Sequence, residues 1–163
     1  MSERRHVMQG LLLAAAVLLS GCATSNRHPP AATAFWAGRI GVEIQSQPPH
    51  QLSAAFELQG SAEHGELLLL NPIGGTLAQL SWTPQAASLT QGGRQWASDN
   101  LDQLTAQLTG TTLPVAALFD WLAGQTSTTP GWQVDLSGFA QGRILAERQS
   151  PAPAVLLKVR LER

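Results

Sequence analysis

The sequence predicts a mainly β fold in which one antiparallel sheet is interrupted by two short helices. Apolar and polar residues alternate with period two in most segments after residue 35, which is typical of strands with one dry face. The period becomes helical between residues 100 and 124 and then returns to two. Because strands lie on both sides of the helical segment, we expect one curved sheet to wrap the helices.

Six strands are predicted before the helical segment. They cover residues 39–44, 52–58, 66–70, 77–82, 88–90 and 95–98. In the first strand, Ile40, Val42 and Ile44 share one face. Residues 48–50, which include two prolines, are assigned to the turn before the second strand, and Gly92-Gly93 is typical of a hairpin between the last two.

Two short helices follow, and then three more strands. The first helix is predicted to be capped by Asn100, with Gln103 at the capping-box position, and to end at Gly110. The second begins at Pro114 and ends at Gly124. Their apolar stripes are Leu101, Leu104 and Leu108, and then Val115, Leu118, Phe119 and Leu122. The remaining strands are predicted over residues 132–136, 143–149 and 155–161.

The first 22 residues have the layout of a bacterial secretory signal peptide. A basic cluster, Arg4 to His6, precedes an apolar run over 11–19 that is too short to span a bilayer. The segment Leu19-Ser20-Gly21-Cys22 resembles the lipobox of bacterial lipoproteins. That resemblance implies that residues 1–21 are removed and that Cys22 is acylated on its thiol and its amine. The alternative is an unpaired buried thiol.

The mature chain is therefore expected to be one lipid-anchored domain. Residues 22–34 contain two prolines and no periodicity, which favours a flexible tether, and residues 35–163 form the domain. Three acyl chains would anchor it firmly. In lipoproteins generally, Asp after the acylated cysteine implies retention at the inner membrane, so Ala23 indicates passage to the outer membrane. The domain then faces the periplasm.

Composition and motifs argue against several function classes. The net charge of −1 and the lack of a basic stripe argue against nucleic acid as a partner. His28 lies in the tether, and His50 and His64 lie in predicted turns, so no histidine pair has metal-ligand spacing. We therefore predict no catalytic residues, no metal site and no cofactor, and we expect a monomer.

The segment Glu66-Leu67-Leu68-Leu69-Leu70-Asn71-Pro72-Ile73-Gly74-Gly75-Thr76 resembles the LolB family of outer-membrane lipoproteins. Shorter matches in the same order are Gly38-Arg39-Ile40, Leu108-Thr109-Gly110, Leu113-Pro114, Trp121-Leu122-Ala123-Gly124 and Gly131-Trp132 with Asp135. Together they cover about residues 35–161. The resemblance implies an unclosed antiparallel β-barrel, or half-barrel, with a helical lid over an apolar cavity. The extra N-terminal helix that is common in the family has little room before residue 36.

The resemblance also implies a function and partners. A member of this family accepts triacylated lipoproteins from the periplasmic carrier LolA, binds their acyl chains and inserts them into outer-membrane lipid, without catalysis. The turn formed by Asn71, Pro72, Ile73 and Gly74 is then the membrane-targeting loop, because the family has an exposed leucine at the position of Ile73. From the residues alone, Ile73 could equally fold back into the core.

Fourteen inward-facing positions are the predicted lining of the acyl cavity. They are Ile40, Val42, Leu52, Phe56, Leu67, Leu69, Leu80, Trp96, Leu104, Leu108, Leu118, Trp121, Trp132 and Val134. The same pattern is equally typical of a filled core. A filled core would favour a structural outer-membrane scaffold, and an enzyme acting on envelope polymers is a third alternative. Candidates for contact with an acidic carrier are Arg39, Arg94, Arg143 and Arg148.

Overall fold

Nine strands form one antiparallel sheet, and two helices cover one of its faces in the computed structural model, which describes residues 33–162. The strands are β1 Ala34–Ile44, β2 His50–Gly60, β3 Gly65–Leu70, β4 Thr76–Trp82, β5 Ala87–Gln91, β6 Arg94–Ser98, β7 Trp132–Asp135, β8 Arg143–Arg148 and β9 Val155–Leu161. The helices are α1 Leu101–Thr109 and α2 Val115–Leu122, with a short 3-10 helix at Phe139–Gln141. The predicted signal peptide, Cys22 and nearly all of the predicted tether lie outside the described residues.

The order of strands across the sheet is β6-β5-β4-β3-β2-β1-β9-β8-β7. Within residues 33–162, the two end strands, β6 and β7, each pair on one side only, so the barrel is unclosed. The last strand, β9, lies between β1 and β8, which joins the two halves of the chain into one sheet. The predicted fold class, an unclosed antiparallel barrel with a few helices, is confirmed.

The period-two alternation divides the sheet into two faces. The inner face carries the apolar residues of each strand, such as Ile40, Val42 and Ile44, which are at most 4% exposed. The outer face carries the polar residues between them, such as Arg39 and Glu43. Burial of one face against the helices therefore fixes the register, because a slip of one residue would expose every core side chain.

Several predicted boundaries shift by a few residues. The β1–β2 ladder runs from Ala34 opposite Gly60 to Ile44 opposite His50, so His50 belongs to β2 and not to a turn. Ala34 likewise belongs to β1, which shortens the predicted tether by one residue. Backbone pairing continues beyond the alternating residues at these ends, which is why the hydrophobic pattern alone missed them.

Helix α1 is capped as predicted at both ends, but the N–H of Asn100 does not bond to Gln103 as a capping box requires. The Asn100 Oδ1 accepts from the N–H of Asp102 at 2.9 Å, and Gly110 closes the helix at φ +84°. The N–H of Asn100 donates to Ser98 Oγ at 3.0 Å, and that hydroxyl donates to Gln103 Oε1. Ser98 therefore takes the place that the capping box assigns to Gln103.

A buried threonine network fixes the connection between the helices. Helix α1 lies against β4, β5 and β6. The Thr105 Oγ1 donates to the carbonyl of Asp102 at 2.9 Å and accepts from the N–H of Leu113 at 3.2 Å. The Thr109 hydroxyl donates to the carbonyl of Thr111 at 2.7 Å. These bonds satisfy buried backbone groups in the loop that leads to α2.

Replacing Thr105 with valine is expected to lower the free energy of unfolding by about 1–3 kcal/mol. The change conserves volume but leaves the buried N–H of Leu113 without its acceptor. Urea unfolding followed by circular dichroism measures the loss. Thr90→Val is the matched control, because Thr90 is exposed on β5 and valine suits a strand. Equal stability of the two variants would contradict the role of the Thr105 bond.

Candidate functional site

A hydrogen-bonded turn connects β3 and β4 at the predicted membrane-targeting loop. The Asn71 side chain holds the turn from inside, since its Oδ1 accepts from the N–H of Ile73 at 3.0 Å and from that of Gly75 at 2.9 Å. The backbone of Asn71 also exchanges bonds with Gly74 and Gly75. Gly74 adopts φ +84°, a left-handed conformation that favours glycine. The turn is therefore preorganised by four hydrogen bonds rather than loosely extended.

Ile73 lies at the tip of this turn and is 93% exposed. It does not fold back into the core, which was the alternative that the residues alone left open. The β3–β4 register shifts between Leu69 and Leu70, and this bulge leaves Leu77 without a residue opposite. Leu77 is 46% exposed. Leu77 is therefore a second exposed apolar side chain at the base of the turn, on the outer face that the alternation along β4 gives it.

The predicted cavity residues form one hydrophobic cluster on the inner face. Ten of the fourteen are buried: Ile40, Val42, Phe56, Leu67, Leu69, Leu80, Leu104, Leu108, Leu118 and Trp121. The other four, Leu52, Trp96, Trp132 and Val134, are partly buried and pack against that cluster. The side chains of α1 and α2 belong to the same cluster. A space for acyl chains at these positions therefore requires the helices or their side chains to move.

Large aromatic rings join α2 to the sheet. The Phe119 ring lies edge-on to Trp36 of β1 at 5.5 Å between centroids and to Trp82 of β4 at 6.2 Å. On the other side of the helix, Trp121 stacks at a tilt against Trp132 at 6.0 Å. Phe119 was part of the predicted helical stripe but not of the predicted cavity lining. Its ring thus contacts two strands of the sheet from α2.

An apolar cleft of about 470 Å³ opens beside this aromatic group. Its lining includes Phe35, Trp36, Leu122 and Leu161, and Phe35 is 57% exposed. Because Trp36 contacts both the cleft and Phe119, the cleft leads from solvent toward the interface between α2 and the sheet. Apolar walls of this kind suit a hydrocarbon ligand, which needs buried area rather than polar contacts.

The four arginines predicted to contact a carrier lie in three different places. Arg39 and Arg143 are exposed on the outer face, and Arg94 lies at the β5–β6 turn. Arg148 is partly buried: it donates to Thr111 Oγ1 at 2.9 Å and its guanidinium lies 5.7 Å from the Trp132 ring centroid. Arg148 therefore connects β8 to the α1–α2 loop. The four arginines do not form one surface.

Within residues 33–162 no cluster of three or more metal-ligating side chains occurs. No helix in that part of the chain is long and apolar enough to cross a membrane. The Asp135 carboxylate accepts from the N–H of Ser137 at 2.8 Å, and hydrogen bonds from the Ser137 backbone and side chain lower the pKa of Asp135. Asp135 is exposed and its carboxylate stays ionised. These are the properties of a residue that caps a turn rather than of an acid or base catalyst.

Comparison with known proteins adds a family to this geometry. The family model described as "Outer membrane lipoprotein LolB" matches residues 35–152. Proteins named outer-membrane lipoprotein LolB from Shewanella baltica strain OS155 and Chromobacterium violaceum are 30% identical over 154 residues and 27% identical over 133 residues. These alignments cover 86% and 78% of this chain, and 69% and 74% of the relatives. A protein of the same name from Yersinia pseudotuberculosis is 35% identical over 81 residues, which are 49% of this chain and 39% of the relative.

Proposed function

Because the chain belongs to the LolB family of outer-membrane lipoproteins, we propose that it accepts triacylated lipoproteins from the periplasmic carrier LolA and inserts them into the outer membrane. The observation that carries this proposal is the exposed Ile73 on a rigid turn. A large apolar side chain at 93% exposure is unfavourable in water and favourable in lipid. The protein acts by binding and release, without a catalytic residue.

The anchor and the turn have separate tasks in this proposal. Acylation of Cys22 holds the protein at the periplasmic surface of the outer membrane. Insertion of Ile73 into lipid contributes roughly 1.5–3 kcal/mol, which is too little for anchoring and enough to orient the domain. Leu77 lies at the base of the same turn and extends the apolar contact.

Acyl chains enter between α2 and the sheet. The apolar cleft beside Phe35 and Trp36 provides the entrance, and displacement of Phe119 exposes the predicted cavity residues behind it. The aromatic contacts of Phe119 are worth only about 0.5–1.5 kcal/mol each beyond buried area, so a bound hydrocarbon chain compensates for their loss. Opening therefore depends on the ligand, and the packed core describes the empty protein.

Transfer from the carrier needs no energy source if this site binds acyl chains more tightly. Each tenfold step in affinity corresponds to about 1.4 kcal/mol, roughly two additional buried methylene groups. The apolar inner face of an open sheet offers the surface on which these methylene groups are buried. Binding of hydrocarbon does not require precisely placed polar groups. The cargo then passes to the bilayer, where its chains bury more apolar surface still.

Ile73→Glu is expected to leave acceptance of a lipoprotein from LolA unchanged and to lower its insertion into vesicles by about 10- to 100-fold. A carboxylate at the tip loses the transfer energy of isoleucine and resists entry into lipid. Acceptance is read by co-purification of the lipoprotein with this chain, and insertion by flotation of the lipoprotein with vesicles.

Two variants make this test specific. Thr90→Glu adds the same charge at an exposed site on β5, and Ile73→Leu keeps an apolar side chain at the tip. Both are expected to insert lipoprotein normally. If Ile73→Glu also inserts at the normal rate, the turn has no membrane role and the proposal loses its main support.

A structural outer-membrane scaffold is the second candidate function, and the packed inner face favours it. The two functions differ in one measurable property. A receptor binds a fluorescent fatty-acyl probe saturably, whereas a scaffold with a permanently filled core does not. This measurement is made on the wild-type chain before any variant is interpreted.

A further inference from the structure

Three arginines lie side by side on the outer face, across three neighbouring strands. Arg39 of β1 is directly opposite Arg160 of β9, and Arg160 is directly opposite Arg143 of β8. Opposite residues in antiparallel strands are about 4.5–5.5 Å apart at their Cα atoms. Like charges in such positions destabilise a sheet. The three adjacent positive charges therefore lower the stability of the sheet, and a bound anion would offset that loss.

The three guanidinium groups have no carboxylate partner in the part of the chain that the structure describes. The one ion pair in residues 33–162 joins Lys158 Nζ to Glu43 Oε1 at 2.6 Å, in the same groove. This row is left with its full donor capacity directed at solvent.

The row forms one side of an open groove of about 570 Å³. Gly41 and Ser53 lie opposite each other beside it, and the lack of a side chain at Gly41 leaves room at the bottom of the groove. The groove also contains the Glu43–Lys158 pair and the ionised Asp135, which forms no ion pair with Arg143. Four cationic side chains thus line the groove against two carboxylates.

Arg143 is held in position by the loop after β7. Its N–H donates to the carbonyl of Gly138 at 3.0 Å, and its side chain packs on that glycine so closely that a Cβ there would lie 3.1 Å from the arginine Nε. Because the Arg143 side chain packs against this loop, it loses less conformational freedom when its guanidinium binds a tetrahedral oxyanion through two N–H groups.

The same row of residues continues to the base of the Ile73 turn. Arg39 is opposite Ala55, and Ala55 is opposite Leu70, the last residue of β3 before the turn. Arg39, Arg160 and Arg143 are therefore two, three and four strands from Leu70, about 10, 14 and 19 Å along the same face. A domain that contacts the bilayer with this face and with Ile73 brings the three arginines to the lipid headgroups.

We propose that Arg39, Arg143 and Arg160 bind the phosphate group of a membrane phospholipid and, with Ile73, set the orientation of the domain on the bilayer. The inference rests on the proposed membrane contact of Ile73 but not on acyl-chain transfer. The same phosphate group occurs in a lipid headgroup and as free inorganic phosphate. The position of the row beside the Ile73 turn favours the lipid.

The test uses the full chain in a nonionic detergent, and the Nε–H signals of arginine are followed by NMR. Detergent micelles containing a phosphatidylglycerol are expected to shift the signals of Arg39, Arg143 and Arg160 saturably and to leave Arg94 unchanged. Micelles containing a glucosyl-diacylglycerol with the same acyl chains are expected to have no effect. Inorganic phosphate is expected to compete only at much higher concentration.

Arg160→Gln and Arg94→Gln remove one positive charge each and form the matched pair. Arg160→Gln is expected to weaken phospholipid binding about fivefold, the contribution of one arginine near an anionic surface, whereas Arg94→Gln leaves it unchanged. Because Arg160 faces two like charges, its replacement is expected to keep or raise the urea midpoint of unfolding. A lower midpoint would show that Arg160 stabilises the sheet and would contradict the proposed site.

Four further results would overturn the proposal. They are equal shifts with the glycolipid, binding of free phosphate with no preference for phospholipid, equal weakening in Arg94→Gln, and shifts caused by the purified carrier but not by phospholipid, which would make the row a protein docking surface. Failure of lipoprotein transfer with intact phospholipid binding would remove the proposed function and leave this inference standing. The reverse pattern would remove only this inference.

Discussion

Replacing Phe119 with alanine is expected to have two opposite effects: weaker folding and tighter binding of a fluorescent acyl probe. The free energy of unfolding falls by about 3–5 kcal/mol, the usual result of truncating a buried phenylalanine. Phe119 is 9% exposed and its ring contacts Trp36 and Trp82, so its removal leaves a void between α2 and the sheet.

The void is the reason for the gain in affinity. In the wild-type chain, an acyl chain must displace the Phe119 ring before it reaches the inner face. Alanine removes that competitor, so the probe enters a space that is already open and apolar. A tenfold gain would correspond to about 1.4 kcal/mol, a fraction of the stability that the variant loses.

Leu89→Ala is the matched control for this prediction. Leu89 is fully buried on β5, which packs against α1, so its truncation also destabilises the protein. It is expected to leave probe affinity unchanged. If both variants bind the probe equally well, general loosening explains the effect. If Phe119→Ala binds no better than wild type, acyl chains do not enter beneath α2.

Gly38→Ala is expected to destabilise the protein by about 3 kcal/mol or more, or to prevent folding. A Cβ at this position would overlap the carbonyl oxygen of Arg160 in the neighbouring strand. The obstacle is backbone and not a flexible side chain, so the β1–β9 pairing has to shift. That pairing joins the two halves of the sheet, and its loss separates β7, β8 and β9 from the rest.

Gly41→Ala is the control, three residues further along the same strand. A Cβ there would have its nearest neighbours at 3.9 Å, which is ordinary contact. Alanine suits a strand interior better than glycine by about 0.5–1 kcal/mol, so this variant is expected to be as stable as wild type or slightly more stable. Thermal and urea unfolding measure both variants. Similar losses at the two positions would contradict a role for close backbone approach at Gly38.

The sequence by itself predicted the element order and the fold class. Nine strands and two helices occur where the period-two and helical patterns indicated them, because alternating burial is a local property of each segment. The caps at Asn100 and Gly110 and the protruding turn at residues 71–75 were also readable, since their chemistry depends on neighbours in the chain. Membership in the LolB family followed from motifs of the same local kind.

Only the tertiary structure decided which residues meet across the sheet. The alignment of Arg39, Arg160 and Arg143 depends on the placement of β9 between β1 and β8, which joins residues more than a hundred positions apart. The same applies to Phe119 between Trp36 and Trp82, and to the bulge that leaves Leu77 without a residue opposite. Strand order and register are set by the burial of one face against the helices, a property of the whole chain that no single segment contains.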